Sequence, residues 1–442
     1  MASAAEQLAA NLNFSAFSKA TELKQRIWFT LGALVVYRLG TYIPMPGIDA
    51  SALAQFFGQQ GSLFDMLNML AGGAVARMAI FALNIMPYVT ASIIVQLMTT
   101  VSPTLEKLKK EGEQGRKQIN QYTRYGTVIL AAVQAFGIAI GLEGSPGVVA
   151  DPGLFFRIST VITLTGGTVF LMWLGEQITA RGVGNGISLI IFAGIVAELP
   201  RAIFQMFEQG ARGAIPFTTI FIVFAMFAAI VVFIVFMERA QRRLLVQYPK
   251  RQVGNKMVGG EASHLPLKLN MAGVIPPIFA SSLLILPTTI LQFNAASAPE
   301  WLQTLSTWLR HGEPLYMGLY GAGILFFCFF YTAIVFNPAD TAENLRKQGG
   351  FIPGYRPGKR TAEYIDHVLT RLTVIGAIYI TIVCLFPEFL IAEYGISYLF
   401  GGTSLLIAVS VTMDTVAQIQ SHLLAHQYEG LIRKSRLKGS RR

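Results

Sequence analysis

Charge is what this 442-residue sequence has least of. Asp, Glu, Lys and Arg make up 13% of it, about half the roughly 25% of an ordinary soluble domain. Hydrophobic residues reach 53% and the mean hydropathy is +0.51, so there are too few charges to solvate the outside of a water-soluble particle of this size. That excludes a cytosolic enzyme, a disordered scaffold and a secreted disulfide protein. Cysteine is nearly absent. Cys328 and Cys384 both sit in apolar runs, which leaves no disulfide framework and no CxxC site. His422 and His426 stand four apart on an expected helix with no third ligand in sight, so no metal site and no cofactor are expected. The N-terminal string MASAAEQLAANLNFSAFSKA lacks an uninterrupted apolar core and has Lys19 as its one basic residue. It reads as a short amphipathic helix on a membrane surface rather than a signal peptide.

What is abundant is long apolar sequence. About 20 such residues cross the hydrocarbon core. Ten candidate spans result, at about 25–44, 78–100, 125–142, 157–177, 184–200, 215–237, 271–293, 315–336, 371–391 and 396–417. A closed barrel would need alternating strands of ~10 residues instead of runs such as TTIFIVFAMFAAIVVFIVF. The expected fold is therefore an all-α integral membrane protein. Ten crossings put both termini on one side. Of the 35 Lys and Arg, 29 fall on that side, counting Arg26 at the edge of the first span. The other side holds Arg38, Arg77, Arg157, Arg201, Arg212 and Arg310. This asymmetry places both termini in the cytoplasm.

Five spans precede the loop near 200–215 and five follow, so the halves enter the membrane from opposite sides, the arithmetic of an inverted repeat. The chain divides into an amphipathic segment over 1–24, an N-terminal half over 25–200, a hinge loop over 201–214, a C-terminal half over 215–425 and a basic tail over 426–442. The C-terminal half carries two cytoplasmic loops, 238–270 and 337–371.

Ion-coupled transporters keep ionisable residues at mid-membrane. Residues 78–104, 125–142, 214–237, 271–299, 314–338 and 372–387 contain no Asp, Glu, Lys, Arg or His. Glu176, Glu198, Glu238 and Asp414 stand near span ends. A proton or sodium relay lacks its parts, while a carrier of a neutral or lipidic solute stays open beside a channel. Helix breakers are plentiful: Pro87 in span two, Gly166 and Gly167 in span four, Pro276 and Pro277 in span seven. Residues 62–76 (SLFDMLNMLAGGAVA) are apolar but too short to cross. On the residues alone they form either a half-helix folded back into the protein or an interfacial helix. The string RGVGNG has no Lys-Ser/Thr and joins two spans, so it is no P-loop. No hydrolase setting and no mid-span pair of Asp are found, and the chain is not expected to be an enzyme.

Several strings carry a resemblance: GALVVYRLGTYIPMPGID, GGAVARMAIFALNIMPYVTASIIVQL, KEGEQGRKQINQYTRYGT, FLMWLGEQITARGVGNGISLIIFAGIVA, HLPLKLNMAGVIPPIFASS, FFCFFYTAIVFNPADTAENLRKQGGFIPGYRPG and FGGTSLLIAVSV. In this order, along essentially the whole chain, the sequence resembles the SecY/Sec61-alpha family of protein-translocation channels. The resemblance implies an hourglass channel that passes unfolded polypeptides and releases hydrophobic segments sideways into lipid. It implies the partners SecE and SecG, drive by the motor ATPase SecA or the ribosome, preproteins with signal sequences as clients, contact with anionic lipid, and association with YidC and SecDF. A multi-pass protein of the bacterial inner membrane is the implied setting.

By the same resemblance the constriction is an aliphatic ring of Ile85, Val89, Ile187, Ile191, Ile278 and Ile407, with Val89 where isoleucine is common. Aliphatic residues four apart usually face lipid or another helix, and only the resemblance singles these out. An apolar constriction can resist ions by dewetting without binding any particular side chain. The 62–76 segment matches the family's plug, taken as Phe64, Asp65, Met66, Leu67, Asn68, Met69, Leu70, Ala71, Gly72 and Gly73. The lateral gate lies between spans two and three and spans seven and eight, with Thr90, Gln96 and Asn270 as its polar residues. Docking of SecA and the ribosome is assigned to the basic loops, at Arg251, Lys256, Arg356 and Pro357. Clustered Arg and Lys in structured turns suit phosphate oxygens of ribosomal RNA.

Overall fold

The computed structural model describes residues 21–49, 52–53, 68, 71–144, 147–213, 216–248, 251–253, 256–258, 262–293, 304, 307–309, 313–394 and 401–439. Residues 1–20 of the expected segment over 1–24, most of the expected plug (Phe64 to Leu67, Met69 and Leu70) and residues 440–442 lie outside them.

All ten expected spans carry a helix. They are α1 (Thr21–Gly40), α2 (Met86–Val101), α4 (Glu113–Glu143), α5 (Leu154–Arg181), α6 (Gly186–Ala211), α7 (Phe217–Arg239), α8 (Ile275–Phe293), α9 (Pro314–Val335), α11 (Lys359–Tyr394) and α12 (Gly402–Gly439). Two short helices, α3 (Pro103–Lys110) and α10 (Pro338–Lys347), lie between spans. Among the described residues, seven helices are long and apolar enough to cross a membrane alone. An eighth arises if α2 and α3, bent by 99° at their junction, count as one span. The bend follows from Pro103, which drives Ser102 out of the helical region to φ −94°, ψ 118°. α4, at 31 residues, is about 46 Å long, well beyond the ~30 Å hydrocarbon core.

The breakers act differently from their sequence expectation. Pro87 does not interrupt span two; it lies in the first turn of α2, where its missing N–H costs nothing. Residues 79–85 run as turns instead, with Asn84 at φ 50°. Pro276 and Pro277 likewise open α8. α5 runs unbroken through Gly166 and Gly167. Gly167 serves packing: a Cβ there would overlap the Ile80 carbonyl oxygen.

The membrane part is helical, but the expected cytoplasmic loop over 238–270 is a hairpin. β1 (Gln241–Gln247) pairs antiparallel with β4 (Ala262–Lys268), Leu244 opposite Leu265. Within it β2 (Arg251–Val253) pairs with β3 (Lys256–Val258). Leu244 and Val246 are buried while their neighbours in β1 are exposed, the period-two signature of a strand.

The chain divides into two compact units, Met1–Gln205 with Ile407–Arg442, and Met206–Leu406. In the first, Met45, Met78, Ala82, Ala135, Ala139, Phe156 and Leu164 share a core. The C-terminal helix joins this unit: Ile419 and Leu423 pack on Leu23 and Val183, and Gln418 Oε1 accepts from the Gly184 N–H at 2.9 Å. In the second, Leu244, Val246, Leu267, Leu345, Ile352, Ile365 and Leu372 bury the hairpin against α10 and α11.

Gly167→Val should destabilise the protein by about 3 kcal/mol through overpacking, read as a lowered Tm in detergent. Gly137→Ala, which meets nothing within 4 Å, should leave Tm unchanged or slightly raised.

Candidate functional site

The site residues are described within their own units. In the first, Ile85 closes the turns before α2, and Val89 follows one helical turn later, its N–H bonded to the Ile85 carbonyl at 3.1 Å. Both are buried. Ile187 and Ile191 lie in the first turns of α6. Ile191 is buried and Ile187 half-buried, the latter close to Gly175 on α5. Ile407, in the first turns of α12, belongs to this unit and is buried. Ile278, in the first turn of α8 and in the second unit, is buried too. Other large apolar residues are divided: Ile190 and Ile195 on α6 are buried as well. Phe221, Val232 and Phe236 on α7 are exposed, as a lipid-facing surface requires.

α6 begins where it does because the RGVGNG string is a cap. Asn185 Oδ1 accepts from the Ile187 N–H at 3.1 Å, Thr30 Oγ1 accepts from the Val183 N–H at 3.0 Å, and Gly184 takes φ 89°.

Of the expected gate residues, Thr90 is buried and donates to the Met86 carbonyl of its own helix at 3.1 Å. Gln96 donates to Ser92 Oγ at 3.3 Å, and its Oε1 is buried with no hydrogen-bond partner. Asn270, in the second unit, is fully engaged there. Its Nδ2 donates to Glu238 Oε1 at 2.6 Å and to the Gly273 carbonyl at 3.1 Å, and its Oδ1 accepts from the Gly273 N–H at 3.0 Å. Of the expected plug, Asn68, Ala71, Gly72 and Gly73 are described. The Gly73 N–H donates to the Asn68 carbonyl at 2.7 Å, and Asn68 Oδ1 accepts from the Ala76 N–H at 2.8 Å.

The residues expected to dock partners fall in the hairpin and in the loop that follows α10. Gln247 and Phe351 exchange backbone hydrogen bonds of 2.9 and 3.0 Å, stitching the hairpin to the second loop. Beyond Phe351 the chain turns through Gly354 at φ 89° and Gly358 at φ 105°. Tyr355 stacks on Tyr364 with centroids 4.1 Å apart. The Arg356 carbonyl accepts from Thr361 Oγ1 at 2.9 Å, which leaves the Arg356 side chain and Pro357 exposed on a fixed turn. Arg251 and Lys256 stand in β2 and β3, paired with Val258 and Val253.

Comparison with known proteins gives the family. The SecY family model matches residues 79–416. The chain is 54% identical over 423 residues to protein translocase subunit SecY of Escherichia coli strain K12, covering 95% of this chain and 96% of that one. It is 55% identical over 431 residues to protein translocase subunit SecY of Rickettsia conorii, covering 96% and 99%.

The chain belongs to the SecY family.

The solved structure of a protein conducting channel superposes with TM-score 0.67 at 18% identity, covering 90% of this chain and 92% of that one. Sec61 from the canine ribosome-channel complex gives 0.63 at 17%, with the same coverage. At that identity they establish the fold: this SecY-family chain is a multi-pass membrane protein with the architecture of those channels.

Sequence reasoning missed one group beside the Gly72–Gly73 turn. Arg38, Arg77 and Glu198 surround Gly72 and Gly73. Arg38 Nη1 and Arg77 Nη2 both donate to the Gly72 carbonyl, at 2.5 and 3.0 Å. Arg38 Nη2 lies 3.5 Å from Glu198 Oε1. The signal was present: Arg38 and Arg77 are among the six basic residues on the sparsely charged side.

Asn270→Ala should cost about 1–3 kcal/mol, because three hydrogen bonds of a buried amide go at once. Thr90→Val, which removes one bond to its own helix, should cost under about 1 kcal/mol. Denaturation of the purified protein separates the two.

Proposed function

We propose that this chain is the central pore-forming subunit of the Sec protein-conducting channel. It passes unfolded preproteins across the inner membrane and releases hydrophobic segments sideways into lipid. The observation that carries the reading is the burial of Ile85, Val89, Ile191, Ile278 and Ile407 on helices that also turn large apolar side chains outward. Branched aliphatic side chains bind no peptide sequence and hold no hydration shell, so such a ring transports any extended chain while resisting ions. Phe64 to Gly73 would be its plug; a SecY protein among the structural relatives has a plug domain that stabilises the closed state and maintains a membrane seal. Thr90, Gln96 and Asn270 would line the lateral gate, where interhelical polar contacts of ~0.6 kcal/mol let one apolar signal sequence part the helices.

Both termini lie in the cytoplasm in this reading. SecE and SecG complete the channel, and YidC and SecDF associate with it. Energy comes from SecA or the translating ribosome, docked on Arg251, Lys256, Arg356 and Pro357. Support for ribosome docking comes from the yeast Ssh1 complex bound to the 80S ribosome, which matches this fold with TM-score 0.63. Anionic lipid would take much of the remaining basic charge, each residue near the surface contributing about 1 kcal/mol.

Photocrosslinkers at positions 85, 187, 278 and 407 should capture a stalled nascent chain. One at Val232, which is exposed on α7, should not. Equal capture at all five positions, or none, ends the pore assignment. Arg356→Glu should slow SecA-driven export into vesicles by roughly tenfold without lowering Tm, since a fixed charge on a polyanion or acidic partner is reversed. Raising salt should weaken ribosome binding log-linearly.

A further inference from the structure

The Ala71–Val75 turn is held from one side by charge. Its Gly72 carbonyl accepts from two guanidinium groups, those of Arg38 and Arg77. Arg77 Nε also donates to the Thr41 carbonyl at 3.1 Å, and Arg38 Nη2 donates to the Tyr42 hydroxyl at 2.9 Å. Both guanidinium carbons sit over the Tyr42 ring, at 4.9 and 4.2 Å from its centroid. Two like charges this close need an anion, and Glu198 supplies it. Its carboxylate, 7% exposed, lies 3.5 Å from Arg38 and 4.0 Å from Arg201.

The turn fits under this cluster because it is glycine. Gly72 and Gly73 take φ 62° and 80°. A Cβ on Gly73 would meet Glu198 Oε1 at 2.6 Å, and one on Gly72 would meet Gly194 Cα at 3.1 Å. The turn buries Ala71 and Ala74 on Ala79, a small apolar cluster that holds it weakly by itself. The arginines are anchored by Thr41, Tyr42 and Glu198, none of which belongs to the turn. When the turn leaves, one backbone carbonyl is released, and the cations keep their anion.

We propose that Arg38 and Arg77 form a reversible two-armed clasp on the Gly72 carbonyl, with Glu198 as its positioning residue. The clasp seats the Ala71–Val75 turn and sets the threshold at which the channel opens. The proposal rests on the plug reading.

The test uses the full chain with its partner subunits in sealed vesicles, with Ala71→Cys as reporter. Ala71 is buried, as are the native Cys328 and Cys384, so background labelling by a membrane-impermeant maleimide is slow. Arg38→Gln and Glu198→Gln should each raise the Ala71→Cys labelling rate about tenfold and make the vesicles leak ions. Arg38→Lys, which keeps the charge beside Glu198 but not the fork, should fall between and remain foldable if the glutamine variants do not. A global loss of structure would instead expose Cys328 and Cys384 in parallel. Deletion of residues 64–73 is measured beside them. If the deletion leaks while Arg38→Gln, Arg38→Lys and Glu198→Gln label and leak as the parent does, the clasp is wrong and the plug stands. If the deletion is also tight, both fall.

Discussion

Inside hydrocarbon there is no water to take up an unpaired backbone N–H or C=O, and that constraint bears on each departure from helix beside the described spans. The helices meet it internally. Where the chain leaves the helix, side chains meet it instead: Thr30, Gln418 and Asn185 satisfy the cap before α6. Two guanidinium groups satisfy the carbonyl of Gly72. A polar side chain near a span end is therefore more than an orientation signal, because it is the partner that makes a break in the helix tolerable.

The helices were legible because continuous apolar runs of membrane length have one reading. Their starts were less so. Pro87 and Pro276 stand within apolar runs but begin helices rather than interrupt them, since a proline disfavours helix before it and suits a first turn. On propensity alone Gly166 and Gly167 signal a break, because propensity says nothing about a neighbour's carbonyl resting on the helix face. The hairpin over 241–268 escaped because its apolar alternation is brief and set among basic residues, with Leu244 and Val246 in β1 and Leu265 and Leu267 in β4.

The candidate site was legible only through resemblance. Nothing in the spacing of Ile85 and Val89 distinguishes a constriction from a helix contact. The Arg38–Arg77–Glu198 group was hidden for another reason: its members are 39 and 121 residues apart along the chain, and only the fold brings them to one carbonyl. Nor does the sequence reveal that the Asn270 amide is committed to Glu238 and Gly273.

The turn bearing Arg356 passes directly into α11, 36 residues from Lys359 to Tyr394, roughly 54 Å of continuous helix. Such a rod does not absorb displacement along its length. A tilt imposed at the exposed turn must reappear at the opposite face of the bilayer, unless it is taken up at Pro387, where one backbone hydrogen bond is missing and the rod has its one soft joint. Mechanical coupling between the two faces is thus written into a single uninterrupted element, with its point of compliance set near the far end.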